Sequence, residues 1–435
     1  MKQRISRREM LRSSAVAGAG ITILGSHVAL ARGDDSPNEK LNIAHIGVGG
    51  QGGHQVNGLA SQNVVAMVDV DITRAGNNLT KFEGAKIYTD YRVMFDEVGD
   101  QLDAFTVNTP DHSHFHPAIM GLRMGKHLYC EKPLAHSVGE CRVLIDEARE
   151  QGVATQLGVQ RHTIQNMHRV VELIKTGAIG PVTEAYTWQG GSRGMPALPT
   201  EFPEVPETLD WRLWLGPAKR RPYSPAYCPY NWRFWADFGT GEAGNWGCHQ
   251  LDIPYWALDL KHPTAVLNVE GPPVDPQGRT SKSLSVTFQF PARGDQPPLT
   301  LEWAHTSKGP AALEKYGLPN IGSGTLFVGE KGMLMTTFNN HTLYPEADFA
   351  DFEYPEQFIP DSPGFHKEFI TACKGGEPAT CNFEYSGPMA ETVILANTAY
   401  QLGKTFEWDS KNLVAVGVPE AEEKIRPEFH NGYEW

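Results

Sequence analysis

The chain has 435 residues, 40% hydrophobic and 20% charged, the composition of a globular protein with room for two domains. Acidic residues outnumber basic ones by 51 to 38, and a net charge of −13 argues against nucleic acid, whose phosphates need a basic stripe. Six cysteines form no C-x-x-C pair, which leaves the usual zinc and iron–sulfur spacings missing.

The first segment reads as an address, not as structure. "SRREMLR" (Ser6–Arg12) is a twin-arginine pattern, a weakly apolar stretch follows, and Ala29 and Ala31 supply a small-residue cleavage site. That stretch is too short and too rich in Gly and Ala to span a bilayer. Residues 1–31 are therefore expected to be a signal peptide for export to the periplasm or beyond, with 32–40 a polar linker. In an oxidising compartment Cys373 and Cys381, which flank "KGGEPAT", are close enough in sequence to bridge, although six free thiols is the simpler reading.

From residue 41 the pattern alternates strand and helix. "LNIAHIGVG", "NVVAMVDVD", "LDAFTVNTP", "HLYCEKP" and "VATQLGVQ" are apolar runs at the spacing of parallel strands joined by helices. Ser137 and Glu140 predict a capping box at the start of one such helix. "GVGGQG" places Gly47, Gly49 and Gly52 as G-x-G-x-x-G directly after the first strand, with Gly50 in the same turn. This is the context in which glycines let a pyrophosphate approach the positive end of a helix. Asp69 ends the next strand, where a carboxylate holds a ribose 2′-hydroxyl and repels a 2′-phosphate, so NAD is favoured over NADP. Residues 41–162 are thus expected to form a doubly wound Rossmann domain.

Two further turns fall on the carboxyl edge of that sheet, where such folds bind ligands. "TPDHSHFHPA" carries Thr109, Pro110 and three alternate histidines, His112, His114 and His116. In a loop entering a helix alternate side chains diverge, so no metal site is expected, and one or two of the histidines should instead line the cofactor pocket. "EKP" (Glu131, Lys132, Pro133) ends another strand, and a cis bond before Pro133 would aim Lys132 into the crevice. "QRH" (Gln160, Arg161, His162) ends the sixth strand and is expected to line the same pocket.

After Gly180 the pattern changes to alternating apolar and polar residues with turns between, the mark of a mainly antiparallel open sheet with one covered face. Gly329 and Gly332 frame a hairpin turn, and "SGPMAETVILANTAYQLGK" predicts a helix packed on the sheet or on the first domain. Residues 163–410 are expected to be an α+β substrate and oligomerisation domain, and 411–435 a tail. Within it, "GNWGCHQLD" puts Asn245, His249 and Asp252 on one face if helical. Seven tryptophans (188, 211, 214, 232, 235, 246 and 256) crowd this part of the chain, and flat rings suit the C–H faces of sugars, although core packing should claim at least half.

"GVGGQG", "TPDHSH", "GKHLYCEKPLA" and "GCHQLD", in this order and at these intervals, resemble the glucose–fructose oxidoreductase, inositol dehydrogenase and MocA family over residues 40–410. The resemblance implies a Rossmann domain, a C-terminal α/β domain whose open sheet often builds a dimer or tetramer, NAD(P), and sugar or polyol substrates. It also implies catalysis by the lysine of E-K-P with an Asp and a His spaced D-x-x-x-H. Those positions fall on Lys132, Asn245 and His249, so an amide stands where the family has a carboxylate. Asp252, one turn on, is the nearest replacement for orienting His249.

The expected cofactor contacts are therefore Gly47, Gly49, Gly50, Gly52, Asp69, Thr109, Pro110, His114, Glu131 and Lys132. The expected substrate contacts are Lys132, Gln160, Arg161, Asn245 and His249. The leading expectation is an exported oxidoreductase acting on a secondary hydroxyl of a sugar, glycoside or cyclitol. Free NAD is scarce outside the cytoplasm, so the cofactor should be tightly held and recycled. Two alternatives stand beside it: an NAD-dependent glycosidase or lyase working by transient oxidation, elimination, hydration and re-reduction, and a non-catalytic sugar-binding protein.

Overall fold

Short buried strands, each followed by a helix, set the first layer. In the computed structural model, which describes residues 39–191 and 193–433, β1 (Asn42–Ile46), β2 (Asn63–Val68), β3 (Lys86–Tyr88), β4 (Ala104–Val107), β5 (His127–Cys130) and β6 (Thr155–Leu157) form one sheet. Its order is β3-β2-β1-β4-β5-β6 and every pairing is parallel. The strand order reverses between β1 and β4, the switch point at which doubly wound sheets open a crevice. β4 is buried at every residue, as a strand covered on both faces must be. β3 escaped the sequence reading because it is three residues long, with Lys86 and Ile87 exposed and no apolar run to mark it.

The capping box is present: Ser137 Oγ accepts the Glu140 N–H at 3.2 Å and Glu140 returns a bond to the Ser137 N–H at 2.7 Å. It starts the helix Val138–Gln151, whose buried Ile145 packs against Gly387 of the long helix Phe383–Leu402.

The second sheet is mixed. Its strands are β7 (Val182–Gly190), β8 (Ala265–Glu270), β9 (Leu284–Phe290), β10 (Leu299–Thr306), β11 (Ser323–Gly329), β12 (Met333–Thr336), β13 (His341–Tyr344), β14 (Phe406–Asp409) and β15 (Val414–Ala415). The order is β13-β12-β11-β7-β10-β9-β8-β14-β15, and only β7 with β10 is parallel. Alternation along β9 buries Leu284, Val286, Phe288 and Phe290 on one face. The helices Cys248–Ala257 and Phe383–Leu402 cover that face, so its apolar side chains join the main core with those of the first sheet. Tyr255 and Thr392 hydrogen-bond at 2.6 Å where these two helices meet.

The segment expected as a tail carries β15, and its Tyr433 ring packs edge-on against His116. All six cysteines are free; Cys373 is half-buried and the rest are buried. No described helix is long and apolar enough to cross a membrane. The twin-arginine segment and cleavage site lie outside the described residues.

Candidate active site

One cavity of about 790 Å³ opens along the carboxyl edge of the first sheet and is closed by loops and the 245–249 turn of the second domain. Gly47, Gly49, Gly50, Asp69, Thr109, Pro110, Glu131, Lys132, Gln160, Arg161, Asn245 and His249 all line it. Two expected cofactor contacts do not. A Cβ on Gly52 would sit 2.0 Å from the Gly47 carbonyl, so Gly52 is needed for the helix Gln51–Gly58 to close against the loop, not for direct contact. His114 is fully buried, its ring nitrogens 2.8 Å from the carbonyls of Pro133 and Thr109. It braces two site loops from behind. His116 lines the cavity instead, while His112 meets the Phe238 and Trp214 carbonyls, so the three histidines do diverge.

Asp69 ties the end of β2 to the glycine loop: its Oδ2 accepts the Val48 N–H at 2.9 Å and the Gly49 N–H at 3.2 Å. Burial raises its pKa, opposed by those backbone bonds and by Arg74. The glycine turn and this carboxylate line the cavity together, the pairing of loop and acid that would hold a dinucleotide.

Lys132 precedes a cis peptide bond to Pro133, and its Nζ donates to Asn245 Oδ1 at 3.2 Å. Burial lowers its pKa, Arg233 lowers it further, and Glu131 and Asp111 oppose the shift. Glu131 reaches toward neutral partners: Gln55 at 2.6 Å and Gln160 at 2.9 Å donate to its Oε1. Gln160 also bonds the Tyr129 hydroxyl at 2.8 Å, so its amide fixes Glu131 from the wall of the cavity.

"GNWGCHQLD" is not a single α-helix. Ala243–Gly247 is a π-helical turn that runs into the α-helix Cys248–Ala257, and such turns occur often at functional sites. Gly244 permits it, because a Cβ there would meet Thr240 Oγ1 and lie 3.1 Å from Pro133. The turn carries Asn245 toward Lys132 and, behind it, Glu242. Asn245 Nδ2 donates to Glu242 Oε2 at 2.9 Å, and Arg193 Nε donates to Glu242 Oε1 at 2.9 Å. Burial works against the Glu242 charge, but the bonds from Arg193 and Asn245 win and lower its pKa. A carboxylate therefore stands behind the amide, three residues earlier than the D-x-x-x-H spacing. The sequence reading missed Glu242 because it ran forward from Asn245 to His249 and Asp252, and the acid lies one turn back, where an i, i+3 pair shares a helix face.

His249 lines the cavity with its pKa held well below the usual imidazole range by burial, Lys132 and Arg161. Its Nδ1 is buried with no hydrogen-bond partner among the described residues. Asp252 does not orient it: its carboxylate bonds His162 Nδ1 at 2.9 Å and the Tyr385 hydroxyl at 2.6 Å. His162 and Tyr385 take its carboxylate instead, so Asp252 locks the "QRH" turn to the long helix. Of the seven tryptophans, Trp214, Trp232 and Trp246 line the cavity; Trp188 and Trp235 are core, Trp211 stacks on Trp214 and Trp256 on His162.

Comparison with known proteins follows the same division. Residues 41–159 match a family model described as an oxidoreductase family with an NAD-binding Rossmann fold, and 167–289 match the C-terminal alpha/beta domain of that family. An inositol 2-dehydrogenase of Rubrobacter xylanophilus is 28% identical over 184 residues, 41% of this chain and 51% of that protein. A glycosyl hydrolase family 109 protein of Solibacter usitatus is 26% identical over 210 residues, 41% of this chain and 44% of that one. The matches thus span about half of these relatives' lengths. Among solved structures, the WlbA dehydrogenase of Bordetella pertussis in complex with NADH and UDP-GlcNAcA is similar in fold. Its TM-score is 0.59 at 15% identity, over 85% of this chain and 98% of that one. With a parallel sheet that carries the glycine loop, a mixed second sheet and both family domains in sequence, the chain belongs to the oxidoreductase family of glucose–fructose oxidoreductase, inositol dehydrogenase and MocA.

Proposed function

We propose that the protein is an exported, NAD-dependent oxidoreductase that acts on a secondary hydroxyl of a sugar, glycoside or cyclitol. The observation that carries this reading is a single cavity shared by the glycine loop, Asp69, Lys132, Asn245 and His249. When bound, NAD supplies the acceptor for the hydride that leaves the carbinol carbon. Lys132, with its pKa lowered, takes the hydroxyl proton in its neutral form and returns it on reversal. Asn245 holds the Lys132 nitrogen, and Glu242 holds Asn245, so the amide transmits orientation without placing a full charge beside the lysine. Burial, Lys132 and Arg161 keep His249 neutral, so beside Lys132 it offers the substrate hydroxyl an uncharged hydrogen-bonding partner.

The twin-arginine pattern supports export, which carries folded proteins, and scarcity of free NAD outside the cytoplasm supports a retained, recycled cofactor. Assembly as a dimer or tetramer through the second sheet belongs to the same proposal, and sedimentation velocity tests it. The similarity to a glycosyl hydrolase family 109 protein favours one second reading, net glycoside cleavage by transient oxidation, elimination, hydration and re-reduction. A purely sugar-binding role rests on the amide at 245 alone.

The test starts with nucleotide released from purified, denatured protein. Its complete absence sinks both enzymatic readings. Sugar and cyclitol oxidation coupled to an electron-accepting dye, set beside aryl-glycoside cleavage without added cofactor, then separates the two.

A further inference from the structure

Two guanidiniums at the Lys132 end of the cavity, those of Arg161 and Arg233, form no ion pair among the described residues. The Arg161 guanidinium carbon lies 4.4 Å from the Phe338 ring centre and 5.2 Å from that of Trp246. That of Arg233 lies 4.4 Å from Trp232 and 5.6 Å from Tyr230. Both arginines line the cavity, and neither has a carboxylate within 4.0 Å among the described residues. Arg193, on the same wall, shows the contrast, since Glu242 takes its charge. Two acids, Glu131 and Asp111, line the same cavity; their charges act on Lys132, and their bonds go to Gln55 and Gln160 and, from Asp111 Oδ2, to the Thr240 amide and hydroxyl at 3.0 and 2.6 Å, so neither pairs with an arginine. Lys132 adds a third basic group whose bonded partner is the neutral Asn245.

In a chain with 51 acidic and 38 basic residues, unpaired guanidiniums in a half-buried cavity call for an explanation. A guanidinium stacked on aromatic faces keeps its planar edge free, and that edge matches a carboxylate or phosphate with two parallel hydrogen bonds. Burial lowers the Arg161 pKa with no acidic neighbour to offset it, as expected where the counter-charge comes from outside.

We propose that the substrate is an anionic sugar, whose carboxylate or phosphate is received by the free edge of Arg161, with Arg233 beside Lys132 adding to the attraction. This rests on the sugar reading above and narrows it.

The test measures equilibrium binding by calorimetry to the purified, NADH-saturated protein. The probes are glucose, galactose and mannose, their uronates, and their 6-phosphates. Uronates or 6-phosphates are expected to bind about tenfold or more tightly than the matched neutral sugar, the worth of a charge-assisted hydrogen bond. Whichever set gains identifies the acid. Arg161→Gln should cut the anionic-to-neutral affinity ratio about tenfold, and Arg161→Lys should restore part of it. A folding defect weakens both probes alike and leaves the ratio in place. Neutral sugars binding as well as the acids, no probe binding at all, or an unchanged ratio in Arg161→Gln overturns the proposal. Nucleotide content is read separately, so loss of NAD counts against the oxidoreductase reading and not against the choice of sugar.

Discussion

The two ends of the cavity are built from different materials. The coenzyme end is mostly backbone: strand ends, a glycine loop and a helix start, with Asp69 as the one committed acid. The other end is mostly side chain: Lys132, Asn245, His249 and Arg161, projected from a strand end, a π turn, the α-helix after it and a short 3₁₀ turn. Backbone sites tolerate change only where a side chain keeps out of the way, whereas side-chain sites depend on who holds whom.

The sharpest break of that contrast is Lys132→Ala, which removes the proton acceptor and leaves the glycine loop untouched. Turnover should fall about 10³-fold with NADH affinity within about twofold, read by steady-state kinetics and fluorescence titration. Gly52→Ala attacks the other end. Its Cβ meets the Gly47 carbonyl at 2.0 Å, so NADH affinity should drop about a hundredfold; retained affinity would mean the loop is not the cofactor seat.

Asn245→Asp sharpens the substrate side. It sets a second carboxylate beside Glu242, where the amide nitrogen now lies 2.9 Å away, so the new acid takes a raised pKa or pushes Glu242 aside. Turnover should fall about tenfold, and a rise would show that the amide was only a missing charge. The smallest effect is on pH. Lys132 must lose its proton to act, so oxidation rises with pH through a value below the ordinary lysine 10.5. Burial is the main cause and remains, but Arg233→Gln removes a like charge, favours the ammonium and moves that limb to higher pH. An unmoved limb would separate Arg233 from Lys132 electrostatically.

Most of the coenzyme end was legible because its signals are local. The G-x-G-x-x-G turn, the acid after β2, the capping box at Ser137 and the E-K-P strand end each specify their geometry within a few residues. The misread positions share a cause. His114 was placed in the pocket because its loop is there, but its ring turns inward to the Pro133 and Thr109 carbonyls. Asp252 was assigned to His249 by helical spacing, and a partner 90 positions away, His162, claims it.

By itself the sequence determined the alternation of strand and helix, the glycine loop and the place of Lys132 at a strand end, since period and turn chemistry act over short range. Only the tertiary structure decided that Glu242 backs Asn245 beside Lys132, because Lys132 comes from a strand end 113 positions earlier and Arg193 holds the acid from another element. It also decided which acids meet which bases: Arg193 finds Glu242, while Arg161 and Arg233 lie over aromatic rings.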